Sequence, residues 1–270
     1  MRELTEAFAA EVRESLQRSP RQLPSKYFYD ELGSALFEAI CRLPWYRITR
    51  SELALLAAHA RDIVAPLARP LAVAELGCGS GDKLATFAAA AEQSIESIHL
   101  IDISAAALDM AQYRLQAIGL ESVRHHSMYE EGLADAVRDR RPTGSLLVLF
   151  LGSNIGNFDR RAACEFLARI RRMLRPGDAL LLGADLVKPE RELLLAYDDP
   201  LQVTAAFDRN VLRRINDELG GTFDPDGFVH RAVWNTAQQR VEAHLVSQRR
   251  QTVRIAAAGL EFTMEPGEWI

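Results

Sequence analysis

Short apolar segments alternate with helical patterns through the middle of the chain, from about residue 71 to residue 188. The segments "LAVAEL", "SIHLIDIS", "SLLVLFLGSNIG" and "ALLLGADLV" are predicted strands, and a further short strand is expected within 121–127. Strand–helix alternation is typical of a parallel sheet with right-handed crossovers, and uninterrupted apolar runs suit strands buried on both faces. The sequence therefore predicts an α/β fold with a doubly wound, mostly parallel, Rossmann-like sheet.

The segments on either side of this alternation follow other patterns. Residues 4–18 and about 51–66 are predicted helices, whereas 228–235 and 240–255 alternate like two antiparallel strands joined by the turn "TAQQ". We therefore expect a ligand-binding core at 67–188 and a second, α+β unit that binds substrate. Residues 1–66 would be the helical part of that second unit, and residues 189–270 its recognition part.

Composition excludes several classes of protein. The net charge of −5 offers no basic surface for nucleic acid, and no stretch approaches 18 uncharged apolar residues, so no membrane helix is predicted. The N-terminus carries acidic residues throughout and has no continuous apolar core, so no leader peptide is predicted. Cys41, Cys78 and Cys164 are scattered, so neither a disulfide framework nor a metal site is expected. This cysteine usage predicts a reducing cytoplasm, and the oligomeric state stays open.

The stretch "ELGCGSG" at 75–81 predicts a ligand-binding turn after the first strand of the sheet. Glycines there let a ligand approach the backbone at the carboxyl edge of the sheet. A dinucleotide would require the spacing G-x-G-x-x-G, and Asp82 would face its pyrophosphate, which disfavours a dinucleotide oxidoreductase. The alternate glycines, with Glu75 two residues before Gly77, instead resemble motif I of S-adenosylmethionine-dependent class I methyltransferases.

Three charged residues near this turn have alternative interpretations. Asp102 ends the second strand, where a ribose-binding carboxylate is expected, but it could also cap the next helix, as could Ser104. Glu75 lies inside a predicted strand and needs a partner from the protein or from a ligand. Lys83 is either a solvated helix residue or a contact to a ligand carboxylate.

Longer stretches narrow the function. They are "SKYFYDELGSALFEAICRLPWYRITRSE" (25–52), "LVLFLGSNIGNF" (147–158), "LLLGADLVK" (180–188), "AYDDP" (196–200), "TAAFDRNVLRRIN" (204–216) and "FVHRAVWN" (228–235). Their combination resembles the histidine Nα-methyltransferase family of ergothioneine biosynthesis, over nearly the whole chain. The resemblance implies that three methyl groups pass in succession from S-adenosylmethionine to the α-amine of free L-histidine, giving hercynine.

The resemblance also implies roles for particular residues. Glu75 matches the acidic residue of motif I, and Gly77, Gly79 and Lys83 match the cofactor loop. Asp102 matches the carboxylate that binds the ribose. Tyr129 matches the aromatic residue of an acidic-aromatic pair that holds the adenine. The family's acidic partner in that adenine pair is replaced here by Met128. Methyl transfer is an in-line displacement from an activated sulfonium, so the protein mainly positions a neutral amine and excludes water. No strong general base is expected near the amine, and His125 and His126 are predicted to lie at the surface.

Five further positions match the family's substrate residues. They are a tyrosine with a catalytic role near the reacting amine, a tyrosine near the imidazole, a strand-end glycine, and two residues that hold the carboxylate: Tyr29, Tyr46, Gly152, Asn157 and Tyr197. The alternative for each tyrosine is a half-buried packing residue. Near Tyr46 the family's usual "EYYPTR" is altered, and Arg47 adds a charge beside the expected imidazole site.

The chain ends at "MEPGEWI", before the T-E-x-S-like segment that reads the imidazole in the family and before the family's final strands. Either the chain is a fragment of a longer protein, or selectivity for histidine is lost, and two alternatives for its function stay open. One is a methyltransferase of the same architecture that acts on another amino acid or amine. The other is a non-catalytic remnant that binds the cofactor or nothing.

Overall fold

A computed structural model describes residues 2–91 and 95–270. The helices are α1 (Arg2–Leu16), α2 (Glu31–Arg42), α3 (Ile48–Val64), α4 (Asp82–Ala91), α5 (Ala105–Gln116), α6 (Tyr129–Asp139), α7 (Arg160–Met173), α8 (Glu190–Tyr197) and α9 (Val203–Leu219). The strands are β1 (Leu71–Leu76), β2 (Ile95–Asp102), β3 (Val123–His126), β4 (Ser145–Phe150), β5 (Ala179–Leu182), β6 (Phe228–Asn235), β7 (Arg240–Ser247), β8 (Gln251–Ile255) and β9 (Leu260–Met264). Within these residues, no helix combines the length and the apolar character needed to cross a membrane.

The chain divides into two compact units. The parallel-sheet unit is Arg47–Leu186, and the hairpin unit combines Met1–Tyr46 with Val187–Ile270. The sequence analysis assigned residues 47–66 to the substrate unit, whereas the structure groups them with the parallel sheet. The reason is the apolar stripe of α3, in which Leu56, Ala60 and Val64 are buried in the same core as Phe87 of α4.

The parallel sheet has the strand order β3-β2-β1-β4-β5, and each neighbouring pair is parallel. The predicted α/β fold with a doubly wound sheet is therefore confirmed. From β1 the chain moves outward to β2 and β3 on one side, and to β4 and β5 on the other. Doubly wound sheets bind ligands outside the carboxyl ends of the strands at such a switch point, which here lies between β1 and β4.

The hairpin unit has its own core, in which α1 and α9 contribute buried side chains. Phe8, Val12 and Leu16 of α1 pack in one cluster with Val211 and Ile215 of α9, as the four-residue spacing of α1 predicts. The side chain of Leu4, which the same spacing includes, lies outside the described side chains. The unit is α+β, because β6 pairs with β7 and β8 with β9, both antiparallel.

The prediction of one long strand over 240–255 was wrong. The segment forms two strands, β7 and β8, and β8 pairs with β9, which the sequence analysis did not predict. The break coincides with the polar run 247–250, where the Ser247 hydroxyl donates a hydrogen bond of 2.7 Å to the carbonyl of Arg249. A local side-chain bond of this kind competes with a continuous strand ladder.

A buried carboxylate fastens the turn before β5 to the start of β4. The side chain of Asp178 is fully buried, and its two carboxylate oxygens lie 2.7 and 2.6 Å from Nη1 of Arg140. It also accepts backbone hydrogen bonds of 2.8 Å from Leu146 and Arg175. Burial by itself would raise the pKa of Asp178, but these donors outweigh burial and hold the pKa below its usual value.

We expect Asp178→Asn to lower the free energy of unfolding by about 2 to 4 kcal/mol at neutral pH, because Arg140 then loses its buried ionic partner. Since the folded pKa is below the unfolded one, this stabilisation exists above about pH 4 and is lost as the pH falls further. Urea unfolding at neutral and acidic pH measures the difference, with exposed Asp62→Asn as the control. An unchanged midpoint at neutral pH would contradict the role given to Asp178.

Candidate active site

The glycine loop between β1 and α4 has a backbone that favours glycine. Gly77, Gly79 and Gly81 have φ angles of +74°, +51° and +76°, in the left-handed region. A Cβ on Gly81 would lie 2.7 Å from the Cα of Ala111, so this glycine permits close packing against α5. A Cβ on Gly79 would meet no atom within 4 Å. The loop therefore presents its backbone to open space at Gly79, where a ligand can approach.

Glu75 is a buried carboxyl group in the central strand of the sheet. It is 1% exposed, and its Oε2 has no hydrogen-bond partner among the residues that the structure describes. Burial raises the pKa of Glu75 to about 8; Lys83 acts to lower it, while Glu52 and Asp102 act to raise it. A cation placed beside Glu75 would therefore find an unused acceptor and would favour its ionised form.

Asp102 connects the end of β2 to the glycine loop. Its Oδ2 accepts the backbone N–H of Gly79 at 3.1 Å, and its Oδ1 accepts that of Ser104 at 2.9 Å. The cap of α5 is supplied by Ser104, whose hydroxyl accepts the N–H of Ala107 at 3.3 Å. Burial raises the pKa of Asp102, although these backbone donors oppose the rise. Each carboxylate oxygen keeps acceptor capacity for a further donor, such as a ribose hydroxyl.

Lys83 is paired within the protein. Its Nζ lies 2.9 Å from Oε2 of Glu52 in α3, and its side chain is 20% exposed, so it is not a solvated helix residue. Glu52 also accepts the backbone N–H of Gly152 at 2.8 Å. A Cβ on Gly152 would lie 2.7 Å from Nζ of Lys83. The absence of a side chain at Gly152 thus makes room for Lys83.

Tyr129 and Asn154 border the first glycine of the loop. A Cβ on Gly77 would lie 3.0 Å from the Tyr129 hydroxyl and 2.9 Å from Nδ2 of Asn154. The Tyr129 ring packs into the core, with its centroid 5.5 Å from that of Phe150. Met128, the residue in the position of the family's acid, is 39% exposed.

Sequence reasoning missed three polar residues of this region. Glu52 and Asn154 lie inside the quoted stretches 25–52 and 147–158, but neither received a role. Ser127 directly precedes the adenine pair, and its hydroxyl is buried without a hydrogen-bond partner in the described part of the chain. The signals were weak, because only the folded chain shows that Glu52 reaches Lys83 and that Asn154 reaches Gly77.

Two substrate candidates, Gly152 and Asn157, belong to the parallel-sheet unit. Both follow β4, and Asn157 ends a 3-10 turn that spans Asn154–Asn157. Ser153 precedes this turn with a φ of +57°, which turns the chain sharply after the strand. Asn157 is exposed at the carboxyl edge of the sheet.

The other three candidates belong to the hairpin unit and are connected by aromatic contacts. The ring of Tyr29 lies edge-on to Phe37 with centroids 5.4 Å apart, and Phe37 lies 6.3 Å from Tyr46. Tyr46 in turn lies edge-on to Tyr197 at 6.0 Å. Tyr46 is 6% exposed. The three predicted tyrosines are thus brought into one aromatic cluster, Tyr29–Phe37–Tyr46–Tyr197.

A buried pair holds the backbone of Tyr197. Nε2 of His230 lies 2.8 Å from the Tyr197 carbonyl, and its Nδ1 lies 2.9 Å from Oδ2 of Asp208. Burial would lower the pKa of His230, but Asp208 and the Tyr197 carbonyl outweigh burial and raise the pKa above its usual value. The Asp208 carboxylate and the Tyr197 carbonyl thus face the two ring nitrogens of His230.

Two histidines form a second buried pair, at β2 and β3. Nδ1 of His99 lies 3.0 Å from Nε2 of His125, and both residues are buried. The prediction that His125 lies at the surface was therefore wrong, because α6 covers this face of the short strand β3. With Asp139, the pair brings three potential metal-ligand atoms within 4.8 Å of one another. The hydrogen bond between the imidazoles satisfies one nitrogen of each ring without a metal.

The parallel-sheet unit has a Rossmann-like methyltransferase fold, with an acidic residue before a glycine loop and a carboxylate at the end of the second strand. The sequence model described as "Histidine-specific methyltransferase, SAM-dependent" matches residues 8–270. The chain belongs to this family, and it is an S-adenosylmethionine-dependent methyltransferase.

Similar proteins include two mycobacterial enzymes and one fungal protein. The chain is 40% identical over 266 residues to the histidine N-alpha-methyltransferase of Mycobacterium tuberculosis, covering 97% of this chain and 81% of that protein. It is 40% identical over 267 residues to the protein of the same name from Mycolicibacterium smegmatis, covering 97% and 82%. It is 30% identical over 276 residues to ergothioneine biosynthesis protein 1 of Schizosaccharomyces pombe, covering 96% of this chain and 34% of that protein.

The site residues fit S-adenosylmethionine. Oε2 of Glu75, which has no hydrogen-bond partner in the described residues, could accept a hydrogen bond from the cofactor's ammonium group. Asp102 could accept hydrogen bonds from its ribose hydroxyls. The open space at Gly79 permits close approach of a ligand to the backbone. The arrangement is thus able to hold a molecule that carries both a cation and a ribose.

We expect Glu75→Gln to stabilise the free protein. Because the folded pKa of about 8 lies above the unfolded value of 4.5, the parent loses stability as the pH rises between these values, and the glutamine variant does not. The gain in melting temperature should therefore grow from about pH 5 to pH 8. Calorimetry should also show weaker binding of S-adenosylhomocysteine and no proton release from this position. A melting difference that stays constant with pH would contradict the burial of an ionisable Glu75.

Proposed function

We propose that this chain transfers methyl groups from S-adenosylmethionine to the α-amine of L-histidine, up to the trimethylated product hercynine, in ergothioneine biosynthesis. The observation that carries the proposal is the match of the histidine-specific family model to residues 8–270. We also propose the cytoplasm as its location, which the absence of a disulfide among Cys41, Cys78 and Cys164 supports.

The cofactor roles in this proposal follow the charges of the site. Asp102 accepts hydrogen bonds from the ribose hydroxyls, and Glu75 accepts them from the ammonium group. Lys83 donates a hydrogen bond to the carboxylate at the amino-acid end of the cofactor. Gly77 and Gly79 admit the ligand to the backbone, and Tyr129 contacts the adenine. When bound, S-adenosylmethionine supplies a methyl group activated by a positively charged sulfur. The buried Glu75 and the pairing of Lys83 within the protein support these assignments.

The substrate roles concern the direction of the amine. The family resemblance assigns Asn157 and Tyr197 to the substrate carboxylate and Tyr46 to the imidazole. Tyr29 accepts a hydrogen bond from the amine N–H, which directs the nitrogen lone pair toward the methyl carbon. The amine passes Gly152 at the end of β4. As the new C–N bond forms, the C–S bond breaks, and the nitrogen then releases its proton to solvent before the next transfer.

The aromatic cluster supports repeated methylation. Each transfer makes the nitrogen bulkier and, after the third, permanently cationic. Aromatic rings stabilise quaternary ammonium groups through their negative faces without requiring N–H donors. The contacts among Tyr29, Phe37, Tyr46 and Tyr197 place several such rings together in the hairpin unit.

A second candidate is methylation of another amino acid or amine. The charge of Arg47, directly after the tyrosine assigned to the imidazole, favours it. The deciding experiment supplies S-adenosylmethionine with histidine or with a panel of other amino acids and measures methylated products by mass spectrometry. We expect hercynine from histidine. Turnover of another amine with none of histidine would contradict the proposal, and binding of neither S-adenosylhomocysteine nor histidine would favour a non-catalytic remnant.

We expect Asp102→Ala to weaken S-adenosylhomocysteine binding by at least about tenfold to a hundredfold, because a charged hydrogen-bond acceptor for the ribose is lost. Titration calorimetry measures the affinity, and a thermal melt tests whether the fold persists. The control is Asp109→Asn on the exposed side of α5, which should bind like the parent. Unchanged affinity in a folded Asp102→Ala protein would exclude a ribose contact.

We expect Asn157→Ala to weaken histidine far more than the cofactor. Asn157 is exposed at the carboxyl edge of β4, so its amide is available to a substrate carboxylate. The measurement compares the KM for histidine with the affinity for S-adenosylhomocysteine. Equal losses for both ligands would mean that Asn157 stabilises the loop and does not contact substrate.

A further inference from the structure

One carboxylate, Glu52, joins the helix after the glycine loop to the end of β4. Its side chain is 12% exposed, and its Oε2 lies 2.9 Å from Nζ of Lys83. The backbone N–H of Gly152 donates to both carboxylate oxygens, at 3.0 and 2.8 Å. A Cβ on Gly183 would stand 1.8 Å from Oε1, so the chain after β5 also leaves room for this carboxylate. Four segments of the parallel-sheet unit therefore meet at Glu52.

Glu52 determines where the charge of Lys83 is held relative to Glu75. The titratable groups that act on Glu75 come from each neighbouring element: Lys83 from α4, Glu52 from α3, Asp102 from β2 and Cys78 from the glycine loop. Lys83 is in contact with Glu52 and acts on Glu75 through its field. Without the Glu52 carboxylate, Lys83 could pair with Glu75, on whose pKa it already acts, and the acceptor for a ligand ammonium would be neutralised.

We propose that Glu52 is a positioning residue of the cofactor site, which holds the Lys83 ammonium so that Glu75 stays available to the ammonium of the cofactor. A lysine has three N–H donors, and the contact with Glu52 leaves donor capacity for the carboxylate at the amino-acid end of S-adenosylmethionine. The inference rests on the cofactor of the family and not on the choice of histidine as substrate. If histidine is not turned over while S-adenosylhomocysteine still binds, the proposed function fails and this inference stands.

The test is calorimetric binding of S-adenosylhomocysteine to Glu52→Gln. Glutamine keeps an acceptor for the Gly152 N–H but loses the charge that holds Lys83, and we expect roughly tenfold weaker binding. Asp62→Asn is the matched control. It removes a carboxylate from the same helix, and the side chain of Asp62 is 86% exposed. The control should bind like the parent. Parental affinity in Glu52→Gln would overturn the inference.

The pH dependence of proton release on binding separates positioning from simple support of the fold. Glu52 raises the pKa of Glu75 and Lys83 lowers it. The pH at which S-adenosylhomocysteine binding releases a proton should therefore fall in Glu52→Gln and rise in Lys83→Met. A loosened helix would not produce shifts of opposite sign. An unmoved midpoint in both variants would overturn the inference.

A double-mutant cycle provides a further measurement. Since Glu52 acts through Lys83, adding Glu52→Gln to Lys83→Met should weaken binding little further, whereas independent roles would give additive losses. If Glu52→Gln does not fold, Glu52→Asp replaces it in the cycle, because it keeps the charge but not the reach to Nζ and the Gly152 N–H together. Additive losses in either cycle would contradict the positioning role.

Discussion

The site depends on a carboxyl group buried in the middle of the sheet. Glu75 sits on the central strand, in register between Leu100 of β2 and Leu149 of β4, where an apolar residue would pack better. Removing an ionised carboxylate from water is unfavourable without a partner, and the group responds by keeping its proton near neutral pH. The unfavourable burial is relieved when a cation binds beside it. The loss of stability at Glu75 in the free protein and the affinity for a cationic cofactor thus have the same physical origin.

The parts of the fold predicted correctly were those in which a local pattern has one structural meaning. Apolar runs such as "SLLVLF" are too short for a helix and too apolar for a half-exposed strand, so they indicated a parallel sheet. The segment 51–66 predicted a helix but not which core would receive it, and its residues Leu56, Ala60 and Val64 are buried in the core of the parallel-sheet unit. The predicted strand over 240–255 likewise passed through the polar run 247–250, where the chain breaks between β7 and β8. Boundaries and partners of this kind depend on contacts distant in sequence.

The candidate site likewise contains residues that a local sequence pattern reveals and residues that only distant contacts bring together. The glycine spacing, Glu75 and Asp102 could be found from sequence because their positions relative to a predicted strand have chemical meaning. Glu52 could not, because thirty or so residues of chain separate it from Lys83 and about a hundred from Gly152, and only folding brings them together. The pair Asp208 and His230 could not be found either. It binds the Tyr197 backbone and so supports a residue that the family resemblance had already pointed to.

Gly152 shows that a strand-end glycine can make room for a charged side chain of the protein. It has a φ of +76°, and the family resemblance makes it a substrate residue. In the folded unit the space beside it is taken by Nζ of Lys83, and the space beside Gly183 is taken by the carboxylate of Glu52. Both glycines therefore make room for the protein's own charges. Charges held in place before the ligand arrives need little reorganisation when it binds, which is the condition under which an ionic site contributes most to positioning a reactive cofactor.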